Sequence, residues 1–275
     1  MDLTDDQKRA VEHTGSPLLV SAGPGSGKTT VIAERVKFLI KNDFFKPSEI
    51  LCLTFTIKAA EHMRDRLEED GVDTSQIKIE NFHSFFHEIL EKNKIYTGLG
   101  KAKIVSRASF LVWGLENIDS FNFNNEVRIT QNNAAEEIEK IIDGISTFRD
   151  ELIKPAELRD FIAKKRSGVL PFKDPDEVGY VNMLENLAEV FERMEEFKQQ
   201  QDIMDFDDLV LLTHEMLTVP FTKHVLEELQ NTYKYVLVDE FQDNNFAQFE
   251  IVKKLVTDDN ITAVGDSDQS IFRFQ

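Results

Sequence analysis

The chain has 275 residues, 41% of them hydrophobic and 30% charged, which leaves room for one large domain or two small ones with an ample core. Its formal net charge of −18 excludes a broad basic surface, so any nucleic-acid contact must come from a local groove. A single cysteine excludes a disulfide framework, a zinc site and an iron–sulfur cluster, and no apolar stretch reaches the length of a membrane span.

The amino terminus, Met1 to Asp6, is acidic and carries no apolar core of a signal peptide, so the expectation is a cytoplasmic protein. Leu3 to Val11 reads as a helix with Thr4 as N-cap and Asp5 and Asp6 in its first turn. Gln7 on that helix offers one amide donor and one acceptor, a match for the N7 and N6 edge of adenine. A surface glutamine is the alternative reading of the same residue.

Leu18, Leu19 and Val20 read as a strand, and Val31, Ile32, Arg35, Val36, Leu39 and Ile40 recur at helical spacing. Between them lies Ser21-Ala22-Gly23-Pro24-Gly25-Ser26-Gly27-Lys28-Thr29-Thr30. Strand, glycine-rich turn and helix form the context of a phosphate loop. Small residues let backbone N–H groups surround phosphate oxygens, and the following helix aims its positive end at the same point. Lys28 would reach the outer phosphates and the Thr29 hydroxyl would complete the shell of Mg²⁺. Ala22 stands where the usual pattern has its first glycine, with Gly23 and Gly25 keeping the loop open.

A second strand is expected from Ile50 to Phe55, with Cys52 inside it as a small core residue. It runs into Thr56-Ile57-Lys58-Ala59-Ala60, where Ala59, Ala60, Met63 and Leu67 follow helical spacing. Ligands of an open parallel sheet bind outside the carboxyl ends of its strands, which places Phe55, Thr56 and Lys58 on the working edge. A third strand, Ile77 to Phe82, ends in His83-Ser84-Phe85. From Phe86 to Gln201 helical stripes dominate, among them Ile138, Ile141, Ile142, Ile145 and Phe148, and this region reads as a helical insertion without a cofactor site. Its basic run Lys164-Lys165-Arg166 is either a solvated helix end or a contact to a DNA backbone.

Asp205 to Val210 begins a helix with acidic residues in its first turn. Tyr235 to Val238 is a fully apolar strand that delivers Asp239 and Glu240 at its carboxyl end. Two adjacent carboxylates there, downstream of a phosphate loop, suit metal-assisted hydrolysis of a phosphoanhydride. Asp239 would hold the metal ion through water, and Glu240 would orient and deprotonate the attacking water. Ile261 to Val264 forms a last strand, followed by Gly265, Asp266, Gln269, Phe272 and Phe274.

Taken in order, these motifs resemble the UvrD/PcrA/Rep family of superfamily 1 DNA helicases: Leu3-Thr4-x-x-Gln7, the AGPGSGKT loop, Thr54-Phe55-Thr56-x-Lys58-Ala59-Ala60, Phe82-His83-Ser84, Asp205-Phe206-Asp207-Asp208-Leu209, Val238-Asp239-Glu240-Phe241-Gln242-Asp243 and Val264-Gly265-Asp266-x-Asp268-Gln269-Ser270-Ile271. The resemblance implies an α/β fold, a RecA-like P-loop NTPase domain with a parallel sheet in two segments, residues 1–85 and 202–275. A mainly α-helical insertion at 86–201 would interrupt it. It implies ATP and Mg²⁺ as cofactors, with the segment from Ala22 to Thr30 and Gln7 holding the nucleotide and Thr29 and Asp239 the metal. Lys28, Asp239, Glu240 and the γ-phosphate sensor Gln269 would serve hydrolysis, while Phe55, Thr56, Lys58, His83, Phe272 and Phe274 would line a single-strand path. Phe272 and Phe274 stand where the family often has Tyr and Trp, Ile57 replaces an Asn and Asn81 a Thr. Single-stranded DNA and duplex junctions are the implied partners, in replication or repair. The family continues into a second RecA-like domain beyond Gln275, so the expectation is that these residues alone do not unwind DNA. A stand-alone nucleotide switch and a non-catalytic module of the same fold are the competing readings.

Overall fold

The computed structural model of the protein describes residues 3–23, 25–97, 102–124, 130, 132–174 and 176–266. The first stretch of chain forms α1 (Asp5–Glu12), β1 (Leu18–Ser21), α2 (Lys28–Lys41), β2 (Ile50–Thr54), α3 (Ile57–Glu69), β3 (Lys78–Asn81), α4 (Phe82–Lys92) and α5 (Lys94–Thr97). Next come β4 (Lys103–Ile104), α6 (Arg107–Glu116), α7 (Ala134–Asp150), α8 (Pro155–Arg166), α9 (Asp176–Gln201), β5 (Ile203–Met204) and α10 (Phe206–Met216). The last stretch holds α11 (Lys223–Thr232), β6 (Tyr235–Val238), α12 (Phe246–Leu255) and β7 (Ile261–Gly265). The chain folds into two compact units, one of residues 1–96 with 212–275 and the other of residues 97–211. Both joints fall further along the chain than the boundaries drawn from the sequence.

The first unit is built on a five-stranded sheet in the order β1-β7-β6-β2-β3, with every pairing parallel. β2 and β6 are buried at every position, as expected of central strands covered on both faces. Their runs of leucine, isoleucine and valine therefore lack the alternation of a half-exposed strand. Ile32, Val36 and Leu39 of α2, Met63 and Leu67 of α3, and Cys52 and Leu237 of the sheet share one apolar core. Parallel order puts the carboxyl ends of all five strands on one edge, where the loops carrying the polar motifs emerge.

Two expected strand ends are shorter than the apolar runs suggest. Thr56 accepts a hydrogen bond from the Ala59 N–H at 3.1 Å and starts α3, so Phe55 leaves β2 as an exposed bend residue. Asn81 does the same for α4 by accepting from the Ser84 N–H at 3.0 Å, and Phe82 becomes a buried first-turn helix residue. Capping side chains outrank the apolar character of the next residue.

The second unit is helical around Phe110, Trp113, Ile138, Ile142, Leu184, Leu187 and Phe191, with a two-stranded parallel ladder of β4 and β5. Its basic run is neutralised residue by residue: Lys164 pairs with Asp160 at 2.6 Å, Lys165 with Glu177 at 2.6 Å and Arg166 with Glu185 at 2.7 Å. Lys165 is buried rather than solvated, its ammonium lying over the rings of Phe161 and Phe172. Among the described residues no helix is long and apolar enough to cross a membrane.

Candidate nucleotide site

A 2.9 Å ion pair from Lys28 Nζ, at the start of α2, to Glu240 Oε2 joins the phosphate-loop side to the end of β6. The geometry on the β1 side depends on glycine. Gly25 and Gly27 have φ of 73° and 83°, in the left-handed region that a side chain disfavours. Gly27 is also the N-cap of α2 and supplies no capping side chain, so the first N–H groups of that helix stay available to an anion. Ser26 closes the loop on itself, its backbone N–H and its hydroxyl both donating to the Gly23 carbonyl, at 3.3 and 2.6 Å. The Ala22 N–H donates to the Gly265 carbonyl at 3.0 Å, which fastens the start of the loop to β7. Thr29 and Thr30 lie on the first turn of α2, Thr29 exposed.

Gln7 sits against this loop. Its Oε1 accepts from the Thr4 N–H and its Nε2 donates to the Ser26 carbonyl, both at 2.9 Å. A β-carbon on Gly27 would lie 3.0 Å from Gln7 Nε2, so glycine there also makes space for the carboxamide. A carboxamide has two protons and two lone pairs, and one of each is left over after these bonds. The amide is oriented, with a donor and an acceptor still to offer.

Asp239 is buried at the end of β6, its N–H donating to the Leu53 carbonyl at 2.9 Å, which continues the ladder to β2. Burial, and then the charge of Glu240, push its carboxyl up to about 6. Glu240 takes φ 47° and ψ 46°, a left-handed conformation rare outside glycine. That turn lets its N–H donate to Asp239 Oδ1 at 2.9 Å while its side chain goes to Lys28. Burial works to raise the Glu240 carboxyl as well, but hydrogen bonds from Gln242 and Lys28 outweigh it and hold the group below its ordinary value. Gln242 stands in the motif 238–243, but its sequence context assigns it no role. Its Nε2 donates to Glu240 Oε2 at 2.8 Å and its Oε1 accepts from the Asp266 N–H at 2.9 Å.

The donor set fits a small divalent cation. Asp239 and Thr29 offer hard oxygens, and Asp243 Oδ1 is buried without a hydrogen-bond partner. The Asp243 carboxyl is raised by burial and by the charge of Glu240, as in a site short of positive charge. No cluster of three or more metal-ligating side chains occurs among the described residues, and a magnesium ion shared with phosphates and water needs only one or two.

The residues expected to meet DNA fall further along the same edge. Phe55 and Lys58 are exposed after β2, with Thr56 between them as helix cap. His83 is half-buried on the first turn of α4, after β3. β2 and β3 are neighbours in register, Thr54 opposite Asn81, so these two loops emerge side by side. The nucleotide set lies over β1, β7 and β6, and this second set over β2 and β3. Pro24, Gln269, Phe272 and Phe274 lie outside the described residues.

A parallel sheet with a glycine-rich loop after its first strand, a lysine opening the next helix and paired carboxylates closing a central strand defines a phosphate-loop α/β domain. The chain belongs to the UvrD/REP helicase N-terminal domain family, whose model matches residues 3–275. It is 33% identical to the ATP-dependent DNA helicase PcrA of Bacillus subtilis, over 98% of this chain and 33% of that protein. It is 31% identical to the ATP-dependent DNA helicase PcrA of Staphylococcus aureus, over 98% of this chain and 34% of that protein. A probable DNA helicase II homolog of Mycoplasma capricolum is 30% identical, over 99% of this chain and 35% of its own length. The chain thus spans about a third of the curated relatives it matches.

Proposed function

We propose that this chain is the ATP-binding motor portion of a DNA helicase that translocates on single-stranded DNA and opens duplex junctions, in replication or repair. The contact between Lys28 and Glu240 carries the reading, because it joins a phosphate-binding loop to a candidate general base from the far end of the sequence. The names of the relatives supply the nucleic-acid half. In this reading Gln7 recognises adenine, residues 22 to 30 cradle the triphosphate, and Thr29 and Asp239 hold Mg²⁺. Bound there, the cation would neutralise charge on the phosphates. Glu240 orients the attacking water and takes its proton, and Gln269 senses the γ-phosphate.

In this reading Phe55, Thr56, Lys58 and His83 form one wall of the strand path, and Phe272 and Phe274 would add aromatic faces for base stacking. A second RecA-like domain would provide the opposite wall and the positive charge facing the γ-phosphate. Residues 1–275 alone should then bind Mg-ATP, hydrolyse it slowly and leave duplexes intact. The protein would act in the cytoplasm. ATP hydrolysis measured with and without single-stranded DNA, on the complete gene product, tests the reading. Stimulation by the strand that vanishes in Lys28→Ala supports it, and hydrolysis indifferent to DNA would favour a nucleotide switch instead.

A further inference from the structure

Arg35 faces inward from α2 and is 2% exposed. Its Nε donates to the hydroxyls of Tyr235 at 2.8 Å and Thr262 at 2.7 Å, at the beginnings of β6 and β7. Its Nη1 donates to the carbonyls of Ala10, Val11 and His13 at 2.9, 3.0 and 2.9 Å. The guanidinium also lies 5.5 Å from the centre of the Tyr235 ring. Among the described residues no carboxylate pairs with it. A buried cation without a counter-ion is costly unless dipoles replace its water. Here the dipoles are two hydroxyls and the carbonyl end of α1, where positive charge is favoured.

The helix held in this way packs along α2 but buries little apolar area there. α1 is eight residues long and buries only Val11, too short to be stable alone and with little apolar area to dock it. Among the described residues its polar tethers to the rest of the domain are the Gln7 carboxamide on the phosphate loop at its head and the Arg35 guanidinium at its foot. Gln7 precedes Val11 by about one helical turn, roughly 6 Å along the axis. A shift of the foot therefore moves the carboxamide directly.

We propose that Arg35 is a positioning residue for adenine recognition: by fixing the carboxyl end of α1 to β6 and β7, it sets where Gln7 presents its free donor and acceptor. The inference rests on the nucleotide-site reading above. Lysine cannot replace the arginine here, because one ammonium cannot reach the hydroxyls of two strands and three carbonyls together.

The test is displacement of a fluorescent ATP analogue from the full chain by ATP, GTP and inorganic tripolyphosphate, with Mg²⁺ present. In Arg35→Lys the preference for ATP over GTP should fall on the order of tenfold, the scale of one good hydrogen bond. Tripolyphosphate should compete as in the wild type. Gln7→Ala should show the same signature, and the double variant should be no worse than Gln7→Ala alone. Equal weakening of all three competitors, or additive losses in the double variant, would overturn the proposal by making Arg35 a structural residue only. Tyr235→Phe removes one acceptor and keeps the ring; it should shift selectivity the same way by about two- to threefold, and this variant decides the matter if Arg35→Lys does not fold. Unchanged selectivity in a folded Tyr235→Phe then overturns the proposal. A wild type that binds tripolyphosphate without preferring ATP refutes the adenine step alone, and one that binds no competitor refutes the nucleotide site itself.

Discussion

Lys28 and Glu240 share an ion pair in which the lysine is the more enclosed partner, its side chain 11% exposed against 36% for the glutamate. The ammonium expected to grip the outer phosphates is thus held by the carboxylate expected to activate water. Phosphate oxygens and Glu240 Oε2 compete for the same three protons.

Removing the ammonium should therefore weaken nucleotide binding sharply. Lys28→Ala is expected to cost about 1.5–3 kcal/mol of affinity, the range of a charge-assisted bond in a partly desolvated site. Titration with a fluorescent ATP analogue reads this directly. Binding unchanged from wild type would exclude the loop as the site.

The two carboxylates should separate in their effects. Asp239→Asn should make binding less dependent on Mg²⁺ and weaken it. Glu240→Gln should bind at least as tightly as wild type, because Lys28 loses its competing partner, while hydrolysis falls on the order of 10²–10⁴-fold, the usual contribution of a general base. Equal loss of binding in both variants with hydrolysis retained would show that the roles are misassigned.

The helical unit has its own ionic centre, and the sequence showed only half of it. Arg149 is buried and bidentate to Asp205, at 2.7 and 3.0 Å; it also binds Asp208, which Lys198 reaches at 2.8 Å. Burial disfavours charge there, yet the Arg149 charge outweighs it and holds the Asp205 carboxyl below its ordinary value. Arg149→Met leaves these carboxylates under-compensated and should cost about 3–5 kcal/mol. Trp113, the single tryptophan, lies in the same core, so urea unfolding followed by its fluorescence reports on this unit alone. A midpoint within error of wild type would refute the assignment.

That contrast explains what the sequence could reveal. Tyr235 to Val238 was legible as a buried strand because burial on both faces writes an unbroken apolar run. The phosphate loop was legible because its chemistry is local, with glycine, lysine and threonine side by side. Asp205 and Asp208 were visible as first-turn acids, but nothing near them announces Arg149, which lies 56 residues before Asp205, with α8, α9 and β5 between them. Arg35 looked like one member of an apolar helical stripe, and Gln242 stood in the motif 238–243 without a role of its own. For Arg149 and Arg35 the partners are distant in sequence, and for Gln242 the anchoring Asp266 lies 24 residues on, so the local pattern gives only one side of the pair.

Cys52 makes the core prediction in terms of pH. Its thiol is 0% exposed, and burial, with the charge of Asp239 second, pushes it up to about 12. In the unfolded chain it ionises near 8.5. The folded value is raised, so the stabilising contribution is complete below about 8.5 and is lost as pH climbs toward 12, at up to about 1.4 kcal/mol per pH unit. The difference between wild type and Cys52→Ala in urea should shrink across that window. At pH 8 the native thiol should resist a disulfide reagent that reacts at once in denaturant; rapid native labelling would contradict the buried placement.

Gln242 links the candidate base to the last strand. Glu240 is held in a left-handed turn, which by itself costs about 1–3 kcal/mol, so its side chain needs fixed partners to keep one direction. Lys28 is one partner, but a phosphate would draw it away. Gln242 Nε2 is the other, and its Oε1 is anchored in turn by the Asp266 N–H. The space for this amide exists because residue 265 is glycine: a β-carbon there would lie 2.5 Å from Gln242 Oε1 and 3.3 Å from the Gln242 backbone nitrogen. Gln242→Ala and Gly265→Ala should therefore fail in the same way from opposite sides, one deleting the bridge and the other displacing it. Both should leave nucleotide affinity near wild type and slow single-turnover hydrolysis about tenfold, the worth of one lost hydrogen bond to the base. If Gly265→Ala instead lost binding while Gln242→Ala hydrolysed normally, the glycine would be needed only for the loop contact with Ala22, and the bridge would have no part in placing Glu240.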